Sequence, residues 1–265
     1  MQTLSRAVSR PRAGGAPLPT IYPSLVRDWR MDVRRGEVTL IAAQPGAGKS
    51  TLALDMSVKW VTRHDLIGLY FSADSSELVA ASRAGAMLTG NTVWDVEQRL
   101  KNGDEYMLSR LDALDGLRFC FDPDVTLEIL ELEVEAFVEA WGREPDFIVV
   151  DNLTDVEGQA EDEFPALRRT MKVMTYLARE SGAAVIVLHH TSEGESPDPC
   201  PSRKSIHGKV SQKSAVVLTM AEGWNEKHLS VVKNRFGKSD RTGKTATTIR
   251  FDADRMAFTD TAVVA

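Results

Sequence analysis

The chain has 265 residues, of which 43% are hydrophobic and 26% are charged, and its formal net charge is −6. This length allows one α/β core with short appendages and leaves little room for a second domain of ordinary size. No apolar run is long enough for a transmembrane helix, and the acidic balance means that any contact with nucleic acid must be local. The two cysteines, Cys120 and Cys200, belong to no metal-binding pattern and indicate a reducing cytoplasm.

The N-terminal segment has no acidic residue in its first 20 positions and is rich in proline, glycine, alanine and arginine. We interpret residues 1–29 as a flexible basic arm and residues 30–265 as one globular domain. Short apolar runs in this domain predict strands at 38–42, 67–71, 117–121, 147–150 and 183–188. Between them, apolar residues at helical spacing predict helices at 51–61, 76–88, in parts of 91–114, at 126–141 and at 164–181.

The pattern changes after residue 190. A polar loop that contains prolines continues to about residue 212, and four short β-like runs follow at 215–220, 228–233, 245–251 and 255–259. Strands that alternate with helices predict an α/β fold with a mostly parallel sheet covered on both faces. The last four runs are joined by turns, so we expect them to extend this sheet with antiparallel strands.

A glycine-rich turn lies between the first predicted strand and its helix. It reads Ala-Gln-Pro-Gly-Ala-Gly-Lys-Ser from Ala43 to Ser50, with alanine where the Walker A pattern has its first glycine. In this context, Lys49 is expected to reach the β- and γ-phosphates, and the Ser50 hydroxyl to bind Mg²⁺. The sequence therefore predicts a site for ATP and Mg²⁺, with the nucleotide bound by Gln44, Pro45, Gly46, Ala47, Gly48, Lys49, Ser50 and Thr51.

Two carboxylates complete the expected ATP chemistry. Asp151 ends the apolar run that begins at Phe147, and at the carboxyl end of a strand it is expected to support Mg²⁺. The residue after it is Asn152, whereas AAA+ proteins have a catalytic glutamate there. RecA-like motors instead carry this carboxylate after the strand that follows the P-loop helix, where this chain has Asp74 and, close by, Glu77. We predict Asp74 as the residue that orients the attacking water, with Glu77 as the alternative.

These motifs resemble those of DnaB-type hexameric helicases, which have a RecA-like core. The run Phe-Ser-Ala-Asp that ends at Asp74 is similar to their strand-end motif, in which the last position is normally glutamate. The run from Val185 to Thr191 resembles the strand whose polar end senses the γ-phosphate, and its His-His-Thr is closer to plasmid-encoded RepA-type helicases. The resemblance implies that His190 is the sensor, and His189 is the alternative.

A third resemblance involves the run from Lys233 to Gly237, which reads Lys-Asn-Arg-Phe-Gly. DnaB proteins carry a Lys-x-Arg pair followed by glycine, and RadA-type branch-migration motors carry this same run. In both families the strand faces the nucleotide of the next subunit. Lys233 and Arg235 alternate on the predicted strand, so we expect both on one face, where they reach a neighbour's γ-phosphate. Without the resemblance, a solvated strand edge explains the pair equally well.

Four basic residues fall in one segment that has no acidic residue, and we predict that they contact single-stranded DNA through its phosphates: Arg203, Lys204, Lys209 and Lys213. An ordinary solvated loop is the alternative. The loop after Asp151 contains five acidic residues between positions 155 and 163, which do not suit a phosphate contact.

The resemblance extends over about residues 30–260. It implies a homohexameric motor that hydrolyses Mg²⁺·ATP at subunit interfaces, translocates on single-stranded DNA and unwinds duplex during replication, with replication proteins as further partners and no membrane. A RadA- or RecA-like recombination motor shares all of these residues. A KaiC-like nucleotide-switched binding or scaffold ATPase is a third alternative, because the shorter carboxylate of Asp74 suits slow hydrolysis.

Overall fold

A computed structural model describes residues 15–156, 163–192 and 198–260. Within these residues, nine strands form a single sheet. They are β1 (Val38–Ala43), β2 (Gly68–Ser72), β3 (Leu117–Cys120), β4 (Phe147–Asp151), β5 (Ala184–His190), β6 (Val216–Gly223), β7 (Glu226–Asn234), β8 (Thr247–Asp252) and β9 (Ala257–Thr259).

The helices of the described residues alternate with the strands up to β5. They are α1 (Pro23–Trp29), α2 (Lys49–His64), α3 (Glu77–Thr89), α4 (Val93–Lys101), α5 (Glu105–Leu111), α6 (Leu127–Trp141) and α7 (Glu163–Ser181). No helix among the described residues has the length and apolar content needed to cross a membrane.

The order of the strands in the sheet is β3-β2-β4-β5-β1-β6-β7-β8-β9. The strands from β3 to β6 are parallel to their neighbours, and β7, β8 and β9 are added by antiparallel pairing. The predicted fold class, a mostly parallel sheet with antiparallel C-terminal strands, is confirmed.

Two hydrophobic cores cover the two faces of the sheet, and side chains alternate between them along each central strand. On β5, Ile186 and Leu188 lie in the core beneath α1 and α2, whereas Val185 and Val187 lie in the core beneath α6 and α7. All of these side chains are almost completely buried. The continuous apolar runs of the sequence are therefore explained by burial on both faces.

Helix α6 illustrates how the sequence sets the ends of an element. The Thr126 hydroxyl accepts a hydrogen bond from the Ile129 amide at the first turn, and Gly142 ends the helix with φ 66° in the left-handed region. Leu130 and Phe137 form its buried stripe. The predicted helix at 126–141 is confirmed to within one residue.

The segment that was predicted as an arm is in part a piece of the core. Within residues 15–29, α1 packs on the sheet with Leu25 and Trp29 each only 4% exposed. The Trp29 indole donates to Thr247 Oγ1 at 2.9 Å, and the Trp29 carbonyl accepts from the Lys238 amide at 2.9 Å. The prediction of a flexible arm is therefore wrong for residues 15–29, because burial of these apolar side chains outweighs the composition of the segment. Residues 1–14 lie outside the described residues.

Two other boundaries differ from the sequence prediction. The polar stretch that was predicted as loop to about residue 212 contains two short 3-10 segments, Arg203–Ser205 and His207–Gln212. Strand β5 continues to His190 rather than ending at residue 188, so both histidines belong to the strand. This extension determines the direction in which each of them points.

Candidate functional site

The carboxyl ends of the central parallel strands bring the predicted nucleotide residues to one edge of the sheet. Strand β5 lies between β4 and β1, and in this register His190 pairs with Ala43, the last residue before the phosphate-binding loop. On the other side, Asp151 pairs with Ser72 of β2. In open α/β sheets this edge is where ligands bind.

The phosphate-binding loop has the backbone that its sequence predicts. Gly48 has φ 99° in the left-handed region and is the N-cap of α2, where no side chain caps the first amides. These amides are therefore available to an anion, and the helix dipole adds to the attraction. Lys49 is only 6% exposed, and its Nζ lies 3.4 Å from the Gln44 carbonyl and 3.3 Å from His190 Nδ1. Burial lowers the pKa of Lys49, while the carboxylates of Asp151 and Asp74 oppose that shift.

Asp151 is buried at the end of β4, 4% exposed, and accepts a hydrogen bond from the Tyr70 hydroxyl at 3.0 Å. Burial raises the pKa of Asp151, and hydrogen bonds from Ser50 and Tyr70 oppose the shift. The Ser50 hydroxyl and the Asp151 carboxylate are thus adjacent oxygen ligands of the kind that Mg²⁺ prefers, and a cation there would offset the desolvation of the carboxylate. Sequence reasoning assigned Tyr70 only to a strand, because nothing in the sequence relates it to Asp151.

The structure separates the two alternatives for the water-orienting carboxylate. Asp74 is exposed in the turn after β2, and its charge acts on Lys49, Asp151 and Asp155. Glu77 begins α3 and lines a different cavity, of about 340 Å³, together with Phe119 of β3. The geometry therefore brings Asp74, and not Glu77, to the phosphate side of the sheet.

The two histidines of β5 point in opposite directions, as neighbours on a strand do. His190 contacts Lys49, as described above. His189 is fully buried, and its Nε2 lies 3.3 Å from the His207 carbonyl. Since a carbonyl can only accept, Nε2 carries the proton of the neutral ring. Burial lowers the pKa of His189 to about 4, so the ring is uncharged at neutral pH.

Sequence analysis missed a wall that the C-terminal strands form beside the phosphate-binding loop. A Cβ placed on Gly48 would lie 3.6 Å from Lys227 Cε and 3.8 Å from Met220 Cε. The Lys227 ammonium is almost fully buried and pairs with Glu222 at 2.9 Å. On the other side of the loop, the hydroxyl of Thr51 contacts Met256 Sδ at 3.9 Å. The pairing of β6 with β7 and of β8 with β9 creates these contacts between residues that are far apart in the sequence.

The pair Lys233 and Arg235 does not share one environment. The Lys233 ammonium donates to the carbonyl oxygens of Ser211, Gln212 and Ser214 at 2.9, 2.9 and 2.6 Å. An ammonium has three donors, so none remains for a phosphate in this arrangement. Burial lowers the pKa of Lys233 to about 8, and the charges of Arg203 and Arg235 act in the same direction.

Arg235 follows the last residue of β7, so the strand alternation that was predicted for the pair does not extend to it. Its guanidinium is 44% exposed and lies 3.4 Å from the Glu37 carboxylate. A pair at this distance and exposure is held weakly. Of the two predicted finger residues, Arg235 is therefore the one that can leave its partner at little cost.

Three of the four predicted DNA-binding residues line one basic cavity of about 600 Å³. They are Arg203, Lys204 and Lys209, and a fourth cation, Arg241, comes from the turn between β7 and β8. Lys213 is exposed and lies outside this lining. Sequence reasoning missed Arg241 because it is separated from the basic segment by two strands.

The sequence model of the AAA domain family (AAA_25) matches residues 18–196, which is more than half of the chain. The chain belongs to this family. The matched span of this AAA-domain protein includes the phosphate-binding loop, Asp151 and His190, together with the N-terminal segment that packs on the sheet.

Three curated proteins illustrate the relatives of this AAA-domain protein. The Gene 65 protein of Mycobacterium phage L5 is 30% identical over 262 residues, which covers 94% of this chain and 94% of that protein. The Gene 65 protein of Mycobacterium phage D29 is 32% identical over 237 residues and covers 84% of this chain and 99% of that protein. DNA repair protein RadA of Brucella abortus (strain 2308) is 25% identical over 215 residues, 79% of this chain and 39% of RadA.

Solved structures show the same fold at low sequence identity. A separately solved ATPase domain of the DnaB-like helicase group is 15% identical and superposes with a TM-score of 0.78 over 93% of this chain and 92% of that domain. A DnaB-like replicative helicase, described with its interactions with primase, gives the same TM-score and identity over 93% of this chain and 64% of that protein. The fold is therefore that of DnaB-like helicase ATPase domains, and the predicted resemblance to that group is confirmed.

Proposed function

We propose that this chain is an ATP-driven DNA motor, a DnaB-like helicase that acts as a homohexameric ring on single-stranded DNA during replication. The observation that carries this proposal is the direct link between the two sites through β5. The same strand presents His190 to Lys49 on the nucleotide side and His189 to the His207 carbonyl beside the basic cavity. A change at the γ-phosphate would therefore move the segment that faces DNA.

Each residue of the nucleotide site has a role that its geometry suits. Lys49 and the uncapped amides of α2 bind the phosphates, and Ser50 and Asp151 would hold Mg²⁺, which when bound neutralises charge on the phosphates. Asp74 orients the attacking water, and His190 senses the γ-phosphate through its contact with Lys49. Arg235 reaches the nucleotide of the adjacent subunit once it leaves Glu37.

Replacing Asp74 with asparagine is expected to lower ATP turnover by about 10²-fold and to leave nucleotide affinity nearly unchanged. The amide keeps the size of the side chain but cannot accept a proton from water. Turnover and equilibrium binding of a fluorescent ATP analogue measure the two effects. Glu77→Gln is the matched variant, since it removes the other carboxylate, and it should leave turnover within about twofold of wild type. The opposite ranking would transfer the role to Glu77.

Lys209→Ala is expected to weaken binding of single-stranded DNA and to reduce the slope of log affinity against log salt by about 0.7, the value for one lost phosphate contact. Lys213→Ala removes the same charge from the same segment outside the cavity, and its slope should change less. Fluorescence anisotropy with a labelled oligonucleotide at several salt concentrations gives both slopes. Equal effects of the two variants would mean that the charge of the segment, and not the cavity, attracts DNA.

The decisive test of the proposed function compares three activities of the full chain: ATP hydrolysis with and without single-stranded DNA, unwinding of a forked duplex, and branch migration of a three-strand junction. A helicase unwinds the fork and hydrolyses ATP faster on DNA. The relationship to RadA of Brucella abortus favours a recombination motor as the second candidate, for which branch migration without fork unwinding is expected. Hydrolysis that DNA does not stimulate, with no remodelling of either substrate, would contradict both.

A further inference from the structure

The basic cavity is built from two parts of the chain that are separated by strands β6 and β7. Arg203, Lys204 and Lys209 come from the two 3-10 segments after β5, and Arg241 comes from the turn before β8. The residues that line the cavity, Ser202, Arg203, Lys204, Ile206, Lys209, Ser211, Gln212, Arg241 and Thr242, include no acidic residue.

Backbone hydrogen bonds join the two parts. The Arg203 amide donates to the Arg241 carbonyl at 3.0 Å, and the Cys200 amide donates to the Gly243 carbonyl at 3.1 Å. Gly243 has φ 75°, and a Cβ at this position would lie 2.4 Å from the Cys200 carbonyl oxygen, so no other residue fits there without displacement. The position of Arg241 beside the basic segment is therefore fixed by the fold.

The turn that carries Arg241 is also rigid in itself. The Asp240 carboxylate accepts hydrogen bonds from the Thr242 amide at 2.9 Å, from the Thr242 hydroxyl at 2.6 Å and from the Thr245 amide at 2.9 Å. The bonds from Thr242 and Thr245 lower the pKa of Asp240 to about 2. A side-chain carboxylate that organises the turn in this way presents Arg241 with little entropy left to lose on binding.

Four cations around one cavity without an acidic partner in its lining repel one another, and an anion with several charges relieves that repulsion. The cavity volume lies in the range of pockets that hold small molecules and exceeds what one phosphate needs. The guanidinium of Arg203 is oriented by the Ser211 hydroxyl at 3.2 Å, which leaves its other nitrogens to the cavity. A chain of phosphates, rather than a single phosphate group, matches this arrangement.

We propose that the turn 237–245 is a second DNA-binding element, in which Arg241 grips the phosphate backbone of single-stranded DNA together with Arg203, Lys204 and Lys209. This inference deepens the proposed function and rests on it. Because phosphate contacts carry no base information, the contribution of Arg241 is independent of DNA sequence.

The test measures the affinity of the full chain for a labelled oligonucleotide, in the presence of a non-hydrolysable ATP analogue, at several salt concentrations. Arg241→Ala should reduce the salt slope by about 0.7 for oligonucleotides of any base composition, and Arg241→Lys should restore the slope. Lys244→Ala is the matched control, because Lys244 is exposed in the same turn but outside the cavity lining, and its slope should stay at the wild-type value.

A second variant tests the role of the turn. Asp240→Ala makes the protein more positive, which by charge alone strengthens DNA binding, whereas loss of the organised turn weakens it. Weaker binding by Asp240→Ala therefore supports a preorganised Arg241. Stronger binding would contradict it.

The outcomes separate the inference from the proposed function. Wild-type protein that binds no DNA refutes the proposed function. Wild-type protein that binds DNA with a slope that Arg241→Ala leaves unchanged refutes only the second element. If Arg241→Ala lowers ATP turnover without changing the salt slope, the cavity faces the triphosphate of an adjacent subunit, and the inference is overturned in favour of that anion.

Discussion

Replacing Lys49 with alanine is expected to lower ATP turnover by about 10²- to 10³-fold and to weaken nucleotide binding strongly. The side chain is buried in the phosphate-binding loop, where its charge is supported by Asp151 and Asp74 and directed by His190. A triphosphate would replace these contacts with a stronger, charge-assisted one. Alanine removes the charge from a site that excludes water, and no other lysine on α2 is close enough to replace it.

Two measurements and one control define this test. Phosphate release gives turnover, and binding of a fluorescent ATP analogue gives affinity. Arg63→Ala removes a positive charge from the exposed end of the same helix and should leave both within about twofold of wild type. A Lys49→Ala protein that binds and hydrolyses ATP normally would remove the phosphate-binding loop from the proposed mechanism.

The phosphate-binding loop and the fold could be predicted from the sequence because both depend on local patterns. The loop's chemistry lies in consecutive residues between a strand and a helix, and glycine at positions 46 and 48 satisfies a backbone requirement that few other sequences meet. The sheet follows from apolar runs that alternate with amphipathic helices, and from turns without helices at the C-terminal end. The predictions made from these patterns agree with the structure to within a few residues.

Contacts between distant segments could not be predicted, because strand register and loop position determine them. Nothing in the sequence relates Lys227 to Gly48 or Arg241 to Arg203, although each pair is brought together by the antiparallel strands. The choice between Asp74 and Glu77 depends on where α3 begins, which the sequence does not specify to one residue. The buried indole of Trp29 likewise shows that a single large apolar side chain can outweigh the composition of a segment.

The surroundings of Lys233 and Arg235 change what the shared motif suggests. Lys233 uses all three donors on the carbonyls of residues 211–214, which end the basic segment. Arg235 lies beside it with one weak partner, Glu37. The motif therefore joins two functions in adjacent positions: one cation holds the proposed DNA-binding segment, and the other is available to an adjacent subunit.

Arg235→Ala is expected to lower ATP turnover by about 10³-fold while leaving nucleotide affinity nearly unchanged, because the lost charge belongs to the transition state in the neighbour's site. Mixing this variant with Lys49→Ala tests that geometry. In rings assembled from equal amounts of both, about a quarter of the interfaces join an intact phosphate-binding loop to an intact Arg235. Turnover should therefore rise well above that of either variant alone.

The controls for this mixing experiment use the same assembly procedure. Arg250→Ala removes an exposed arginine from β8 and should keep wild-type turnover. Lys233→Ala mixed with Lys49→Ala should regain little DNA-stimulated turnover, because the three carbonyl contacts of Lys233 lie within its own chain. Rescue of Lys233→Ala to the level of Arg235→Ala would return Lys233 to the interface. Failure of Arg235→Ala to be rescued, in rings that microscopy shows to be intact, would mean that Arg235 does not act between subunits.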